Sequence, residues 1–220
     1  MKMNKKLIVA TAACAALLVG SISTSLAWLL DTTDTVTNKF NPSTLGVTLT
    51  ESQTTQNVRE YDMVPGWTYT KDPIVTVAAN SEPCYVFLKV EKSQNLEDYL
   101  AYTFDNSTWK KLAGVEGVDN VYFTKYETTS TNAITYPILL GGTYTASSGT
   151  EIEYSANQVV VKSDVTKEMM EALNSTALEF KFTAYASQLM KNATTEFTVQ
   201  EAWANVKDNP SNPSATTTNP

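Results

Sequence analysis

The stretch LEFKFTAYA, residues 178–186, alternates apolar and polar side chains along most of its length. A period of two places successive side chains on opposite faces of a β-strand, so Leu178, Phe180 and Phe182 share one face with two alanines. One apolar and one polar face are typical of an antiparallel strand that covers a core on one side. The stretch therefore predicts a half-buried strand and a mainly β fold.

Two other segments, residues 85–91 and 45–50, repeat this alternation. In the first, the even-numbered side chains are expected to face the core, and the odd-numbered ones, Tyr85 and Phe87 included, the opposite side. Further segments rich in Val, Ile, Thr, Tyr or Phe are also predicted as strands. They are residues 74–78, 120–126, 134–140, 150–154 and 158–161. About eight strands separated by Pro, Gly, Asn and Ser favour an antiparallel jelly-roll-like β-sandwich over a parallel α/β sheet.

Two or three short helices are expected to interrupt the strands. Residues 165–173 are predicted as a helix capped by Ser163 or Asp164. Residues 199–206 follow Thr198, and the Thr-x-x-Glu spacing resembles a capping box. A weaker helical pattern covers residues 96–99.

The N-terminus has the order of a secretory signal peptide over residues 1–27. Lysines precede an apolar run from Leu7 to Gly20, and small residues end at Ala27, so cleavage is predicted between Ala27 and Trp28. The alternative is an uncleaved membrane anchor, but the run is shorter than a span of about 20 residues and rich in Ala. A cleaved peptide, a secreted protein of the extracellular matrix or cell surface, and no stable membrane anchor are therefore expected.

The rest of the chain divides into three parts by composition. Residues 28–42 form an N-terminal arm, 43–207 the sandwich domain, and 208–220 a polar tail that is predicted to be disordered. The full chain has 16 Lys and Arg against 23 Asp and Glu; removal of the three signal-peptide lysines leaves 13 against 23, a net charge of −10. This charge disfavours nucleic acid and anionic membranes as partners.

The sequence offers no recognisable catalytic, cofactor or metal site, and an enzyme is not expected. The chain has no histidine, which removes the usual general base and the commonest zinc ligand. A pair of carboxylates could still support glycoside hydrolysis, although exposed acids are the usual case. Gly141-Gly142 is better explained as a turn than as a phosphate loop, and Cys84 as a small buried residue.

Three blocks of sequence carry a resemblance to a known family. The first is Leu26 to Phe40, where an Ala-aromatic-x-x-Asp-x-x-Asp-x-x-x-Asn-x-Phe pattern surrounds the predicted cleavage site. The second runs from Val64 to Val86 through the sequences VPGW, KDPIVTV and SEPCYV, and the third joins FTAYASQ at 182–188 to EAW at 201–203. In this order the blocks resemble the SipW-dependent signal peptide family, which includes the biofilm matrix proteins TasA, camelysin (CalY) and BsaA.

The resemblance implies a jelly-roll sandwich, export through a dedicated signal peptidase, and self-association into extracellular fibres, with other matrix proteins as possible partners. It also implies assembly by donor-strand exchange, in which the freed arm of one subunit completes a sheet of the next. The arm has no Pro or Gly between residues 28 and 40. Its candidate plugs are Trp28, Leu29, Leu30, Val36 and Phe40. The peptidase label attached to camelysin is not carried over, because the chain lacks a zinc motif.

Two alternatives remain open at this point. The arm could pair within its own domain, as edge strands commonly do. The chain could also be a secreted surface binding module for a glycan or host ligand that does not polymerise, with Trp67, Trp109 and Tyr102 as candidate contacts, although Trp is more often a core residue.

Overall fold

A computed structural model of the chain describes residues 44–52, 60–173 and 177–208. These residues belong to one compact unit. The predicted signal peptide, residues 1–27, and the predicted arm, residues 28–42, lie outside the described residues. The predicted tail also lies outside them, apart from Asp208.

The described residues form sixteen strands and three short helices, and every strand pair is antiparallel. The strands are β1 (Val47–Thr50), β2 (Thr68–Thr70), β3 (Ile74–Val77), β4 (Cys84–Lys92), β5 (Leu100–Ala101), β6 (Thr103–Phe104), β7 (Lys110–Lys111), β8 (Val121–Tyr126), β9 (Ile134–Pro137), β10 (Leu139–Leu140), β11 (Gly142–Thr145), β12 (Glu151–Tyr154), β13 (Gln158–Val161), β14 (Phe180–Gln188), β15 (Met190–Asn192) and β16 (Thr195–Glu196). The helices are α1 (Leu96–Tyr99), α2 (Lys167–Ala172) and α3 (Val199–Val206). The predicted mainly β, antiparallel class with short helices is confirmed.

The first layer is a four-stranded sheet in the order β14-β4-β8-β7. Its centre is β4, which pairs with all nine residues of β14, from Phe180 opposite Lys92 to Gln188 opposite Cys84. On its other side β4 pairs with β8. The alternating stretch at residues 178–186 therefore lies along one border of this sheet.

The second layer consists of the ladders β1-β3-β9, β2-β13-β5 and β10-β6. Chain continuity joins them, because only residues 71–73 separate β2 from β3 and only Ile138 separates β9 from β10. Backbone hydrogen bonds bridge the junction: Lys71 N donates to Asn157 O (2.9 Å), and Asn157 N donates to Leu139 O (3.2 Å). The three ladders thus adjoin one another in the second layer.

The main core lies between the two layers. Its buried members come from both, with Val86 and Leu88 of β4 and Ala184 of β14 on one side and Val75 of β3 and Val159 of β13 on the other. This arrangement is a two-layer β-sandwich, whereas the jelly-roll topology stays a prediction. Cys84 of β4 belongs to this core, as predicted, and burial raises the pKa of its thiol to about 12.

The outer face of the first layer is also buried, which the alternation did not predict. Tyr85 and Phe87 were expected to face outward, but both pack in a second cluster with Trp203 and Val206 of α3. Tyr85 Oη donates to the carbonyl of Phe197, just before the helix, at 3.1 Å. The prediction that only one face of β4 is buried was wrong, because α3, which is distant in sequence, covers the aromatic residues of the other face.

The helix termini agree with the sequence at α3 and differ at α2. Thr198 and Glu201 form the predicted capping box. At α2 the cap is Thr166, whose side chain accepts from Met169 N (3.2 Å), in place of the predicted Ser163 or Asp164. Asp164 instead accepts from the backbone of Ser147 at 2.9 Å, so its carboxylate is engaged with another loop.

The Gly141-Gly142 pair was predicted to form a turn, but its second glycine belongs to a strand. Gly142 begins β11 and lies opposite Tyr154 of β12. A Cβ on Gly142 would overlap Thr103 Oγ1 and lie 3.0 Å from Tyr154 Oη, so the glycine permits a close approach of β11 to these side chains.

Candidate functional site

The outer border of β14 is the longest strand edge in the described part of the chain. Among the described strands, only β4 pairs with β14, and that ladder covers all nine residues without a bulge. A strand edge offers unpaired N–H and C=O groups to another extended segment. This border is therefore the candidate site for strand addition.

The ends of the ladder show which residues of β14 direct their backbone outward. Ser93 N donates to Glu179 O and Leu189 N donates to Pro83 O, both at 2.9 Å. In an antiparallel pair, hydrogen-bonded and non-hydrogen-bonded residues alternate, so the odd-numbered residues from 179 to 189 bond to β4. The even-numbered residues direct their N–H and C=O groups away from it. They are Phe180, Phe182, Ala184, Ala186 and Gln188.

Among the described strands, the β14 edge carries fewer protective devices than the opposite border of the same sheet. At the opposite border of the same sheet, β7 has only two residues, and both are exposed lysines. Short edge strands and lysines are common devices against unwanted pairing. In contrast, β14 contains no Pro or Gly, and Lys181 is its only charged residue.

A second edge strand, β1, lies beside β14 on the same side of the sandwich. β1 belongs to the second layer, where its partner is β3. Its Val47 and Leu49 pack into the same core as Ala184 and Ala186 of β14. This side of the sandwich is thus bordered by β14 from the first layer and by β1 from the second. The β14 edge carries small alanine side chains there.

An ion pair covers the aromatic end of this side. Lys71 Nζ lies 3.1 Å from Glu51 Oε2, and both side chains are largely buried. The same ammonium lies 5.7 Å from the ring centroid of Phe180 and 5.4 Å from that of Phe182. Distances of this size allow a cation–π attraction that fixes the two rings of β14.

The predicted site residues fall into two groups. Ala27 and all five arm residues, Trp28, Leu29, Leu30, Val36 and Phe40, lie outside the described residues, so their roles stay predictions.

The three aromatic residues of the binding-module alternative are described, and they do not come together as one site. Trp109 is fully buried and its Nε1–H donates to Pro137 O (3.0 Å), so it is a core residue and not a ligand contact. Trp67 is 60% exposed at the end of a turn in which its N–H bonds to Val64 O (3.0 Å). Tyr102 lies elsewhere, half-buried against Phe180.

Tyr102 takes part in a polar network that the sequence did not indicate. Its hydroxyl donates to Glu97 Oε1 (2.8 Å) and accepts from Lys92 Nζ (3.1 Å). Hydrogen bonds from Lys92 and then Tyr102 hold the pKa of Glu97 below its usual value. Burial, followed by the bond to Glu97, raises the pKa of Tyr102 to about 12, so the phenol keeps its proton at neutral pH.

Within ranges 44–52, 60–173 and 177–208, no three Cys, Asp or Glu side chains come close enough together to hold a metal ion. No helix within these ranges has the length and apolar character needed to cross a bilayer.

Comparison with known proteins found no family model, no curated protein and no solved structure that matches this chain.

Proposed function

We propose that this chain is a secreted structural subunit of extracellular matrix fibres, and not an enzyme. The observation that supports this most directly is the nine-residue edge of β14, which among the described strands pairs only with β4. The sequence supplies the other parts: a signal peptide that ends at Ala27 and an arm of high β-propensity behind it. The resemblance to the TasA–camelysin–BsaA family points in the same direction.

In the proposed assembly, the arm of one subunit pairs with the β14 edge of the next. The five outward-directed residues of β14 provide five donors and five acceptors for such a strand. Four of the arm's apolar residues, Trp28, Leu30, Val36 and Phe40, are all even-numbered, so an extended arm places them on one face. That face would extend the core beside the alanines of β14.

Cleavage by a signal peptidase would free the arm, which links export to polymerisation. Each subunit then offers one arm and one edge. Head-to-tail contacts of this kind generate open filaments unless their rotation closes a ring. Other matrix proteins with a free strand could join at the same edge.

The first test compares protein that begins at Trp28 with protein that begins at Ser43. We expect filaments by negative-stain electron microscopy from the first and monomers from the second. Filaments from the protein that begins at Ser43 would refute the donor role of the arm.

A matched pair of substitutions tests the β14 edge. The N–H of Ala184 points away from β4, so Ala184→Pro removes an outward donor and leaves the β4 ladder intact. Ala184→Val adds side-chain volume at the same core position but keeps the N–H. We expect Pro to abolish filaments and Val to retain them. Equal filament formation by both folded variants would exclude this edge.

A peptide of residues 28–42 separates pairing between subunits from pairing within one. Added to protein that begins at Ser43, the peptide should raise the melting temperature, because a ligand of the folded state stabilises it by mass action. The rise should be smaller for Ala184→Pro. The absence of any rise, together with monomeric protein beginning at Trp28, would favour the binding-module alternative.

A further inference from the structure

A cleft of about 650 Å³ opens where the two layers separate, near α1. Val90 of β4 and Phe180 of β14 line it from the first layer, and Tyr102 and Phe104 line it from the second. Its volume lies in the usual range for small-molecule sites, which is about 300–1,000 Å³. The cleft shares only Phe180 with the β14 edge.

Two aromatic pairs form its apolar wall, and each pair joins the two layers. The ring centroids of Tyr102 and Phe180 are 4.7 Å apart, and those of Phe104 and Tyr122 are 4.5 Å apart. All four side chains are only partly buried, although they pack on the main core. The rings are therefore held in place while part of each remains accessible from the cleft.

Hydrogen-bonding side chains surround this wall. The Glu97–Lys92–Tyr102 network fixes a carboxylate, an ammonium and a phenol on one side. Asn106, Asp119 and Asn120 add two amides and a carboxylate along the cleft. These groups both donate and accept, and carboxylates and amides can contact two neighbouring hydroxyls of one ligand.

The charges of the lining oppose an anionic ligand. Three carboxylates, those of Glu91, Glu97 and Asp119, line the cleft, and the only cation of its lining is Lys92. Each carboxylate is paired with a lysine: Glu91 with Lys89, Glu97 with Lys92 and Asp119 with Lys111. Phosphates and uronic acids would have to compete with these carboxylates for the lysines, whereas a neutral ligand with many hydroxyls would not.

We propose that this cleft binds neutral oligosaccharides built from hexopyranose units. One face of such a ring presents C–H groups, which suit the partly buried rings of Tyr122 and Phe104, and its rim presents adjacent hydroxyls, which suit the amides and carboxylates. An apolar plug from a second copy's arm fits less well, because it would strip water from the polar groups without replacing their hydrogen bonds. The inference does not depend on fibre assembly.

The test uses saturation-transfer NMR and titration on protein that begins at Trp28. The probes are gluco-, galacto- and manno-configured neutral oligosaccharides, with uronic acid oligomers and the peptide of residues 28–42 as comparisons. We expect saturable binding of at least one neutral series. Because one aromatic contact is worth about 0.5–1.5 kcal/mol, Tyr122→Leu should weaken binding up to roughly tenfold.

Two further variants make the result specific. Asn106→Ala removes an exposed amide of the cleft and should weaken binding several-fold with an unchanged melting temperature, so it decides the matter if Tyr122→Leu fails to fold. Trp67→Ala removes an exposed indole outside the cleft and should leave binding intact.

Three outcomes would overturn the proposal. One is the absence of saturable binding to every neutral series. Another is binding that Trp67→Ala abolishes and the cleft variants preserve. The third is exclusive binding of uronic acids or of the arm peptide at Tyr122. None of them bears on whether the arm is needed for filaments.

Discussion

Replacement of Trp203 by Ala should detach α3 from the first layer of the sandwich. The indole is almost fully buried, and its ring centroid lies 5.3 Å from that of Phe87 and 5.4 Å from that of Tyr185. It is thus the aromatic anchor that joins the helix to the outer face of β4 and β14. Its loss would leave Ala202 and Val206 as the buried contacts of α3.

The expected magnitude follows from the buried area. A buried aromatic side chain removes about 150–250 Å² from water, which is worth about 4–6 kcal/mol at about 25 cal/mol per Å². Measured Trp or Phe to Ala changes cost about 3–5 kcal/mol. We expect Trp203→Ala to lower the free energy of unfolding by a similar amount, a large part of the usual total of about 5–15 kcal/mol.

Trp203→Phe is the matched control, because the indole Nε1–H has no hydrogen-bond partner within the described part of the chain. An unpaired buried donor costs about 1–3 kcal/mol, so its removal offsets part of the lost packing. The Phe variant should therefore lose only about 1–2 kcal/mol. Urea unfolding followed by circular dichroism measures both variants.

Dye binding adds a test of mechanism. If α3 is released while the sandwich stays folded, Tyr85 and Phe87 become accessible, and the Ala variant should bind a hydrophobic dye that the Phe variant does not. A loss below about 1 kcal/mol for Trp203→Ala would refute the view that this side chain fixes the helix.

Two other substitutions test the interior. Gly142→Ala places a methyl group on the Thr103–Tyr154 hydrogen bond (2.9 Å) and should cost about 1–3 kcal/mol by thermal unfolding. The double variant with Thr103→Ala should recover part of this loss; no recovery would mean that the strain arises elsewhere. Burial raises the pKa of Cys84 from 9.0 to about 12, so above pH 9 the unfolded thiol loses its proton while the folded one keeps it. The stability that the protonated Cys84 thiol contributes to the folded state is fully present below pH 9 and is lost as the pH rises toward 12. The slope of stability against pH should be flatter for Cys84→Ala, and equal slopes would contradict the assignment.

Local sequence patterns predicted the long strands because each of them repeats its period several times. Residues 178–186 and 85–91 are strands within a residue or two of the predicted bounds. Strands such as β5 and β7 have two residues each, too few for a period to be visible. They exist because the longer strands β13 and β8 supply their hydrogen bonds, which is tertiary information.

The same limit applies to the surfaces. The exposure of Phe87 depends on α3, more than a hundred residues away, so the polar alternation of β4 could not reveal a second buried face. The cleft likewise joins residues from β4, β6, β8 and β14. Tyr102 alone was singled out from the sequence, because nothing in the chain order places Phe104, Tyr122 and Phe180 together.

Because both faces of the first layer are buried, they are poorly available for contacts with a second copy. The second layer covers the inner side chains of β4 and β14, and α3 covers the aromatic outer ones. Stacking of two sheets through these faces would require the second layer or α3 to be displaced. Displacement of α3 would lose the packing that Trp203 supplies. Addition of a strand at the side requires neither, because backbone groups of β14 already point there. The same helix that contradicts the half-buried prediction for β4 therefore favours the proposed strand addition at the β14 edge over stacking of sheet faces.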